Sequence, residues 1–206
     1  MQTALNTPNS KLTDNPKMDH VKNFFSKPFV VMDTEFTTWD GAMARDWSLP
    51  NEWREIVQIA AVKIDPTQGF KEVETLDVLA KPILNPQLSD YFQQLTALSQ
   101  AELEERGTSY PEALKQFTDF AAGMPVWSYG GDDKVLMENC IIHQMTDVKL
   151  DNFFDIRMIV KMLGDKPHDY SSGTLYTAAG IDMTGHVHNA LHDCRSIVEY
   201  LKHHFN

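Results

Sequence analysis

The sequence predicts an α/β protein in which helices cover a mixed sheet. Three apolar segments separated by turn residues come first, at residues 29–36, 56–65 and 75–83. This spacing is typical of a meander of antiparallel strands. From Leu98 onward the apolar period changes, and strand-like and helical segments alternate. A meander followed by such alternation indicates an α/β sandwich.

The helical segments are predicted from the signals at their ends. LSQAELEERG carries a candidate N-cap at Ser99, and YPEALKQFTDFAAG has Pro near its start and Gly at its end. After an apolar strand at residues 124–130, the further helical segments are DDKVLMENCIIHQM, FFDIRMIVKMLG, GTLYTAAG and HDCRSIVEYLKHHF. The apolar face of the last segment carries Leu191, Val198 and Leu201, with Ile197 beside them.

Length and composition fit one domain with a tail. The chain has 206 residues, 42% of them hydrophobic, so it can bury a core without disulfides or a structural metal. Residues 1–27 are rich in Asn, Pro, Lys, Thr and Ser, which predicts a flexible N-terminal tail with a short helix near His20 to Phe25. We assign residues 28–206 to the folded domain.

The net charge of −11 arises from 18 Lys and Arg against 29 Asp and Glu. It argues against a broad basic face for nucleic acid, although metal ions can supply positive charge in a narrow site. The two cysteines, Cys140 and Cys194, form no close pair, which fits a reducing compartment without a zinc cluster. We find no signal-peptide pattern and no run long enough to cross a membrane. We therefore expect a cytoplasmic protein without a membrane partner.

Two carboxylates end the first apolar strand, FVVMDTEF. Residues i and i+2 of a strand face the same way, so Asp33 and Glu35 project together. Their repulsion at a half-buried strand end is costly, and a divalent cation would remove that cost. Mg²⁺ prefers such hard oxygen ligands. The alternative is that Glu35 begins a solvated loop.

A second acidic pair follows a strand in WSYGGDDKVL. The strand stops at Gly130 and Gly131, and a helix begins at Asp132 and Asp133. An N-cap and a favourable interaction with the helix dipole account for one acid. Asp132 is the better cap, which leaves Asp133 to face a site.

The third candidate is GHVHNALHDCRSI. His188 and His192 are four residues apart, but Asn189 stands where the zincin motif needs Glu, so that motif is excluded. His188 and Asp193 would lie about 140° apart on one continuous helix. They can face one point if His188 lies in the loop before the helix. The alternative is that His188 is a surface residue or a cap.

Together these motifs resemble, in order, those of the DEDDh 3′–5′ exonucleases. They are D-x-E on the first strand, aromatic-Gly-x-x-Asp (Tyr129, Gly130, Asp133) and His-x4-Asp (His188, Asp193). EIVQIAAVKID and KPILNPQLSDYFQQLTALSQ are similar to segments of the Eri and KapD type. The resemblance covers about Pro28 to His204. It implies a ribonuclease H-like exonuclease fold, with a mixed five-stranded sheet flanked by helices.

The sequence departs from this subfamily at several positions. Ala97 stands where Gly is usual, Gln58 where Glu is usual, and Tyr129 where Trp is frequent. The loop from Trp39 to Arg54 is richer in Trp than expected. It either shapes substrate access or packs on the surface.

The resemblance implies that nucleotides are removed as 5′-monophosphates from the 3′ end of single-stranded RNA, which is favoured, or DNA. Two Mg²⁺ (or Mn²⁺) would take part. Asp33, Glu35 and Asp193 would hold the more tightly bound ion, and Asp133 would hold the second through waters. His188 would be the general base, because imidazole titrates near neutral pH.

The terminal nucleotide would be held by residues next to these acids. Phe36 and Thr37 follow the first strand's carboxylates, and Leu95 and Thr96 resemble the subfamily's wedge. Stacking on an apolar surface accepts any base, so little sequence preference is expected. The alternative for Leu95 is core packing.

Three rival functions fit the same sequence. They are a proofreading-type DNA exonuclease, a catalytically silent nucleic-acid-binding protein and a phosphodiesterase acting on short oligonucleotides. The acidic surface favours short substrates. Matched RNA and DNA oligomers, a metal-dependent nuclease assay and a series of oligomer lengths distinguish them.

Overall fold

Six strands form one mixed sheet in the computed structural model, which describes residues 16–205. They are β1 (Phe29–Phe36), β2 (Ile56–Asp65), β3 (Lys71–Lys81), β4 (Thr108–Ser109), β5 (Val126–Ser128) and β6 (Phe153–Asp155). Their spatial order is β4-β3-β2-β1-β5-β6. The pairs β1–β2 and β2–β3 are antiparallel, whereas β1–β5, β5–β6 and β3–β4 are parallel. The predicted α/β class with a mixed sheet is confirmed.

Seven α-helices occur between residues 16 and 205. They are α1 (Pro16–Phe24), α2 (Asp90–Thr96), α3 (Gln100–Arg106), α4 (Tyr110–Ala121), α5 (Asp132–Ile142), α6 (Arg157–Leu163) and α7 (Ala190–Phe205). A longer 3-10 helix, Ser172–Ala179, precedes α7. In this part of the chain, no helix is both long and apolar enough to span a membrane.

Three details of the predicted elements are corrected. The sheet has six strands rather than five, because the two-residue β4 pairs with the end of β3. Phe153–Asp155, predicted as part of a helix, is the strand β6, and the helix begins at Arg157. The segment after β3, for which the sequence predicts no helix, contains α2. Strands of two or three residues are too short to show a period of two, so pairing with a neighbour decides them.

Part of the predicted N-terminal tail packs on the folded domain. Residues 1–15 lie outside the described part of the chain. Helix α1 covers most of the helix expected near His20 to Phe25, and Val21 and Phe25 are buried against β1 residue Phe29 and its neighbours. The chain from Val21 onward therefore packs on the domain.

Alternation along β1 divides the core into two layers. Phe29 and Val31 face one side and pack with residues of α7, while Val30 and Met32 face the other and pack with α4 and α5. Asp33 and Glu35 continue the first set, so the strand's alternation directs them towards the α7 side. The pairing of β1 with β2 shifts register between Glu35 and Phe36.

Candidate active site

Asp33 and Glu35 end β1 beneath the start of α7. Their side chains are 6% and 9% exposed, so the alternative of a solvated Glu35 is wrong. Both carboxylates lie close enough to Asp132 and Asp193 to repel them electrostatically. The first strand thus carries two of four acids that converge in one place.

Asp132, rather than Asp133, is the acid that joins this cluster. Helix α5 begins without a side-chain cap, so Asp132 does not act as an N-cap. Its buried carboxylate accepts a hydrogen bond of 2.6 Å from the Thr34 hydroxyl. Asp133 instead lines a separate pocket together with Lys134 and Phe154. The predicted assignment of Asp132 as cap and Asp133 as site residue is therefore corrected.

Asp193 comes from the first turn of α7 and is 1% exposed. The Ser172 hydroxyl donates to its Oδ2 at 2.9 Å, and the His188 backbone N–H donates to its Oδ1 at 3.2 Å. Buried Gln58 on β2 fixes the helix start, because its Oε1 accepts the Ala190 N–H at 3.1 Å. Ser172 and the His188 backbone therefore hold this carboxylate directly, and Gln58 holds the start of the helix that carries it.

His188 lies in the loop before α7, with a left-handed φ of 68°. This position allows it to face the same point as Asp193, which one continuous helix would not allow. One ligand atom from each of Glu35, His188 and Asp193 lies within 4.8 Å of the other two. The structure thus brings together the candidate base and the acids.

Gly173 leaves room for the Asp193 carboxylate. A Cβ at this residue would lie 2.4 Å from Asp193 Oδ1, a contact that real structures do not tolerate. The 3-10 helix therefore packs directly on the acid cluster, with Ser172 donating to it and Gly173 making space.

Four carboxylates concentrate negative charge in the cluster. Burial, followed by Asp132, Asp193 and Glu35, raises the pKa of Asp33 well above its usual range, and burial and two of the same neighbours raise the pKa of Glu35. Burial also raises the pKa of Asp132 to about 6, against opposing hydrogen bonds from Thr34 and Ser128. Burial raises the pKa of Asp193 as well.

The donor set fits a divalent cation. None of the four carboxylates forms a salt bridge with a Lys or Arg among residues 16–205. Buried charges need a partner, and four carboxylates with one imidazole supply the ligands that Mg²⁺ or Mn²⁺ accepts.

The four residues predicted to bind the nucleotide differ in their exposure. Phe36 is half-buried, and Trp47 and Arg54 contact its ring. Leu95 is also half-buried, and its carbonyl lies 2.8 Å from His186 Nε2 in the loop before α7. Thr37 and Thr96 are buried, with hydroxyls bonded to nearby backbone: Thr37 to Trp53 and Glu55, and Thr96 to Phe92 and Leu98. Only Phe36 and Leu95, of these four, present side chains that are partly accessible.

Sequence reasoning missed Asp132, Ser172, Gly173 and the role of Gln58. For Asp132 the signal was present, because either of two adjacent acids could begin the helix. Ser172 and Gly173 lie about twenty residues before Asp193, and no local pattern links them to it.

A family model described as RNase_T: Exonuclease matches residues 30–201. No curated protein sequence matches the chain. One similar solved structure shows the 3′-end-specific recognition of a histone mRNA stem-loop by a 3′-exonuclease. Its TM-score is 0.69, and its sequence is 19% identical. The match covers 85% of this chain and 62% of that chain.

Two further structures share the fold. The nuclease domain of 3'hExo, a DEDDh family member bound to rAMP, has a TM-score of 0.72 at 20% identity, over 85% of this chain and 90% of that one. Exonuclease I from Methylocaldum szegediense has a TM-score of 0.61 at 16% identity, over 86% of this chain and 40% of that one.

The fold is thus that of ribonuclease H-like nucleases, with an acidic cluster at the end of the central strand. The chain belongs to the exonuclease family, since the family model covers most of its length. The predicted exonuclease, an enzyme that hydrolyses phosphodiester bonds, is confirmed, and the solved structures that share its fold include a DEDDh family member. Membership of this family implies dependence on divalent metal.

Proposed function

We propose that this protein removes nucleotides from the 3′ end of single-stranded nucleic acid, with RNA favoured over DNA, and releases 5′-mononucleotides. The observation that carries the proposal is the convergence of four buried carboxylates and His188 around one point. Recognition of RNA is supported by similar structures that bind rAMP or a histone mRNA stem-loop. Cytoplasmic localisation stays a prediction.

The carboxylates would hold two Mg²⁺ or Mn²⁺ ions. Asp33, Glu35 and Asp193 are assigned to the more tightly bound ion, and Asp132 replaces Asp133 as the acid on the side of the second. Such ions supply charge neutralisation for the scissile phosphate, activation of water and stabilisation of the leaving 3′-oxygen. Ser172, Gly173 and the Gln58 contact hold Asp193 in a fixed orientation for this purpose.

His188 would take the proton from the attacking water. Its backbone bond to Asp193 fixes the loop, and its ring lies near Glu35 and Asp193. A neutral imidazole nitrogen is the group that would accept this proton.

The half-buried Phe36 and Leu95 would contact the terminal nucleotide. Both adjoin the cluster, Phe36 through β1 and Leu95 through its carbonyl contact with His186. Thr37 and Thr96 would support these residues through backbone hydrogen bonds.

The test is a timed digestion of 5′-labelled single-stranded RNA and DNA of matched sequence, from two to twenty nucleotides, with Mg²⁺, Mn²⁺ or EDTA. The proposal expects a ladder shortening from the 3′ end, faster on RNA, and no cleavage in EDTA. His188→Ala should lower kcat by about 10²–10⁴-fold and spare binding. The exposed His203→Ala is its control. Unchanged kcat in His188→Ala would refute the role of base, and cleavage in EDTA would refute the metal mechanism.

A further inference from the structure

A basic cleft adjoins the acid cluster. It has a volume of ≈ 800 Å³, and its lining includes Tyr129, Arg157, Lys161, Lys166 and Tyr170. Three Lys or Arg side chains in one cleft stand out in a chain of net charge −11. Cations next to an acidic site point to a ligand that carries several negative charges.

Both walls of the cleft run directly into the active site. From Tyr129 the chain passes through Gly130 and Gly131 to Asp132, and from Tyr170 it passes to Ser172, which donates to Asp193. The Tyr129 hydroxyl donates to the Pro167 carbonyl at 2.6 Å and joins the two walls. Tyr129 lies three residues before Asp132, and the Arg157 guanidinium in the cleft is close enough to Asp132 for their charges to interact.

Positive charge in the cleft is available to a ligand. Lys161 and Lys166 are exposed, and neither forms an ion pair or side-chain hydrogen bond within residues 16–205. Arg157 pairs with Asp155 through Nε and Nη2 only. The acid that lines the cleft, Asp165, accepts a hydrogen bond from Tyr200 at 2.6 Å.

The cleft and Leu95 lie on opposite sides of β1, and Phe36 is the last residue of β1 itself. Helix α2, which ends next to Leu95, packs beside β2 and β3 through Phe92, whereas the cleft follows β5 and β6. Strand β1 lies between them in the sheet. A strand whose last nucleotide contacts Phe36 and Leu95 would therefore reach the cleft by extending across the cluster.

We propose that this cleft binds the phosphates of the substrate strand on the 5′ side of the nucleotide being removed, with Lys161 and Lys166 as the contacts. The inference rests on the proposed function, because it describes how the single-stranded substrate of that function is bound. A single strand is bound through its backbone by such a groove without regard to sequence.

The test compares Lys161→Gln/Lys166→Gln with the matched double variant Lys115→Gln/Lys149→Gln. Lys115 lies on α4, and Lys149 lines a pocket at the other end of β5. Each is assayed with Mg²⁺ on a ten-nucleotide single strand and on the p-nitrophenyl ester of thymidine 5′-monophosphate, which has no upstream phosphates.

For the cleft variant we expect a rise in KM of about tenfold on the ten-nucleotide strand, with kcat unchanged. The slope of log KM against log salt should fall by about 0.7 for each lost phosphate contact. Hydrolysis of the nitrophenyl ester should equal that of the wild type. KM and salt slope equal to those of the control variant would overturn the inference. If the wild type hydrolyses neither substrate, the proposed function fails, and anisotropy of the labelled strand bound to the two variants still decides the inference.

Discussion

Asp132 and Asp133 are neighbours in the chain with different environments. Asp132 is buried next to Asp33 and accepts a hydrogen bond from Thr34, whereas Asp133 faces a separate pocket. We predict that Asp132→Asn lowers kcat by at least about 100-fold, since it removes a metal-binding charge. Asp133→Asn should stay within about twofold of the wild type, a change typical of a surface substitution. The measurement is Mg²⁺-dependent release of mononucleotides from a labelled oligomer. Loss of activity in Asp133→Asn alone would show that the assignment is reversed.

The choice between Asp132 and Asp133 could not be predicted from the sequence, whereas the other site residues could. Asp33, Glu35, His188 and Asp193 could be predicted because strand alternation and a loop before a helix fix their directions. Each step along a helix rotates the side chain by about 100°, so the phase at which α5 begins decides which Asp faces inward. That phase depends on the turn at Gly130 and Gly131, which the sequence does not specify.

Ala97 occupies the position where the resembling subfamily usually has Gly. It caps α2 with a φ of 60°, in the left-handed region. We predict that Ala97→Gly raises the free energy of unfolding by about 1 kcal/mol, because the Cβ strain is removed. The exposed Ala101→Gly within α3 should lower it by a similar amount. Urea unfolding of both variants checks this, and a loss of stability in Ala97→Gly would contradict it.

At the scale of elements, the 3-10 helix positions Asp193. We predict that Gly173→Ala lowers kcat by about 100-fold. The added Cβ would lie 2.4 Å from Asp193 Oδ1 and would push this carboxylate out of its position. In Gly131→Ala the nearest atom is Lys134 Cδ at 3.5 Å, an ordinary contact, so activity should be retained. Mononucleotide release by the two variants measures this contrast. A fully active Gly173→Ala would show that the 3-10 helix can move away without consequence.

Gln58 joins three elements. Its Oε1 accepts from Ala190 of α7, and its Nε2 donates to Asp77 of β3 at 2.8 Å. A Glu at this position would lack the donor for Asp77 and would add a charge directly opposite Glu35. We predict that Gln58→Glu lowers the free energy of unfolding in EDTA by about 1–3 kcal/mol.

Asp77→Asn in the Gln58→Glu background restores a donor to the pair and should recover part of this loss. A double-mutant cycle by urea unfolding gives the coupling. Equal losses with and without Asp77→Asn would exclude the Asp77 contact as the reason for Gln at this position.

Elements with strong periodicity could be predicted, and short ones could not. The bounds of β1 and β2 agree with the apolar segments, because eight to ten residues carry a clear pattern. Strands β4 and β6 have two and three residues and exist through parallel pairing with strands that are distant in sequence. Tertiary contacts therefore decide these elements.

At the scale of the whole molecule, the acid cluster links stability to pH. A carboxyl whose native pKa is raised binds more protons folded than unfolded, so stability falls as pH rises through that range. For Asp132 the range runs from 3.8 to about 6. Glu72 affects stability in the opposite direction, because a hydrogen bond from Arg195 lowers its pKa. The stabilisation that Glu72 contributes is therefore lost as the pH falls. We predict that the melting temperature in EDTA falls from about pH 4 to about pH 6, and that Asp132→Asn reduces this fall.

Thermal melting at pH 7.5 with and without divalent cations tests most directly whether the four carboxylates form a metal site. At about 100 times the dissociation constant, Mg²⁺ or Mn²⁺ should stabilise the protein by about 2.7 kcal/mol, or about 5–10 °C in a chain of this size. Asp33→Asn should melt higher than the wild type in EDTA and lose most of the shift with metal. An unchanged melting temperature of the wild type in millimolar Mn²⁺, or an equal shift in Asp33→Asn, would contradict the account.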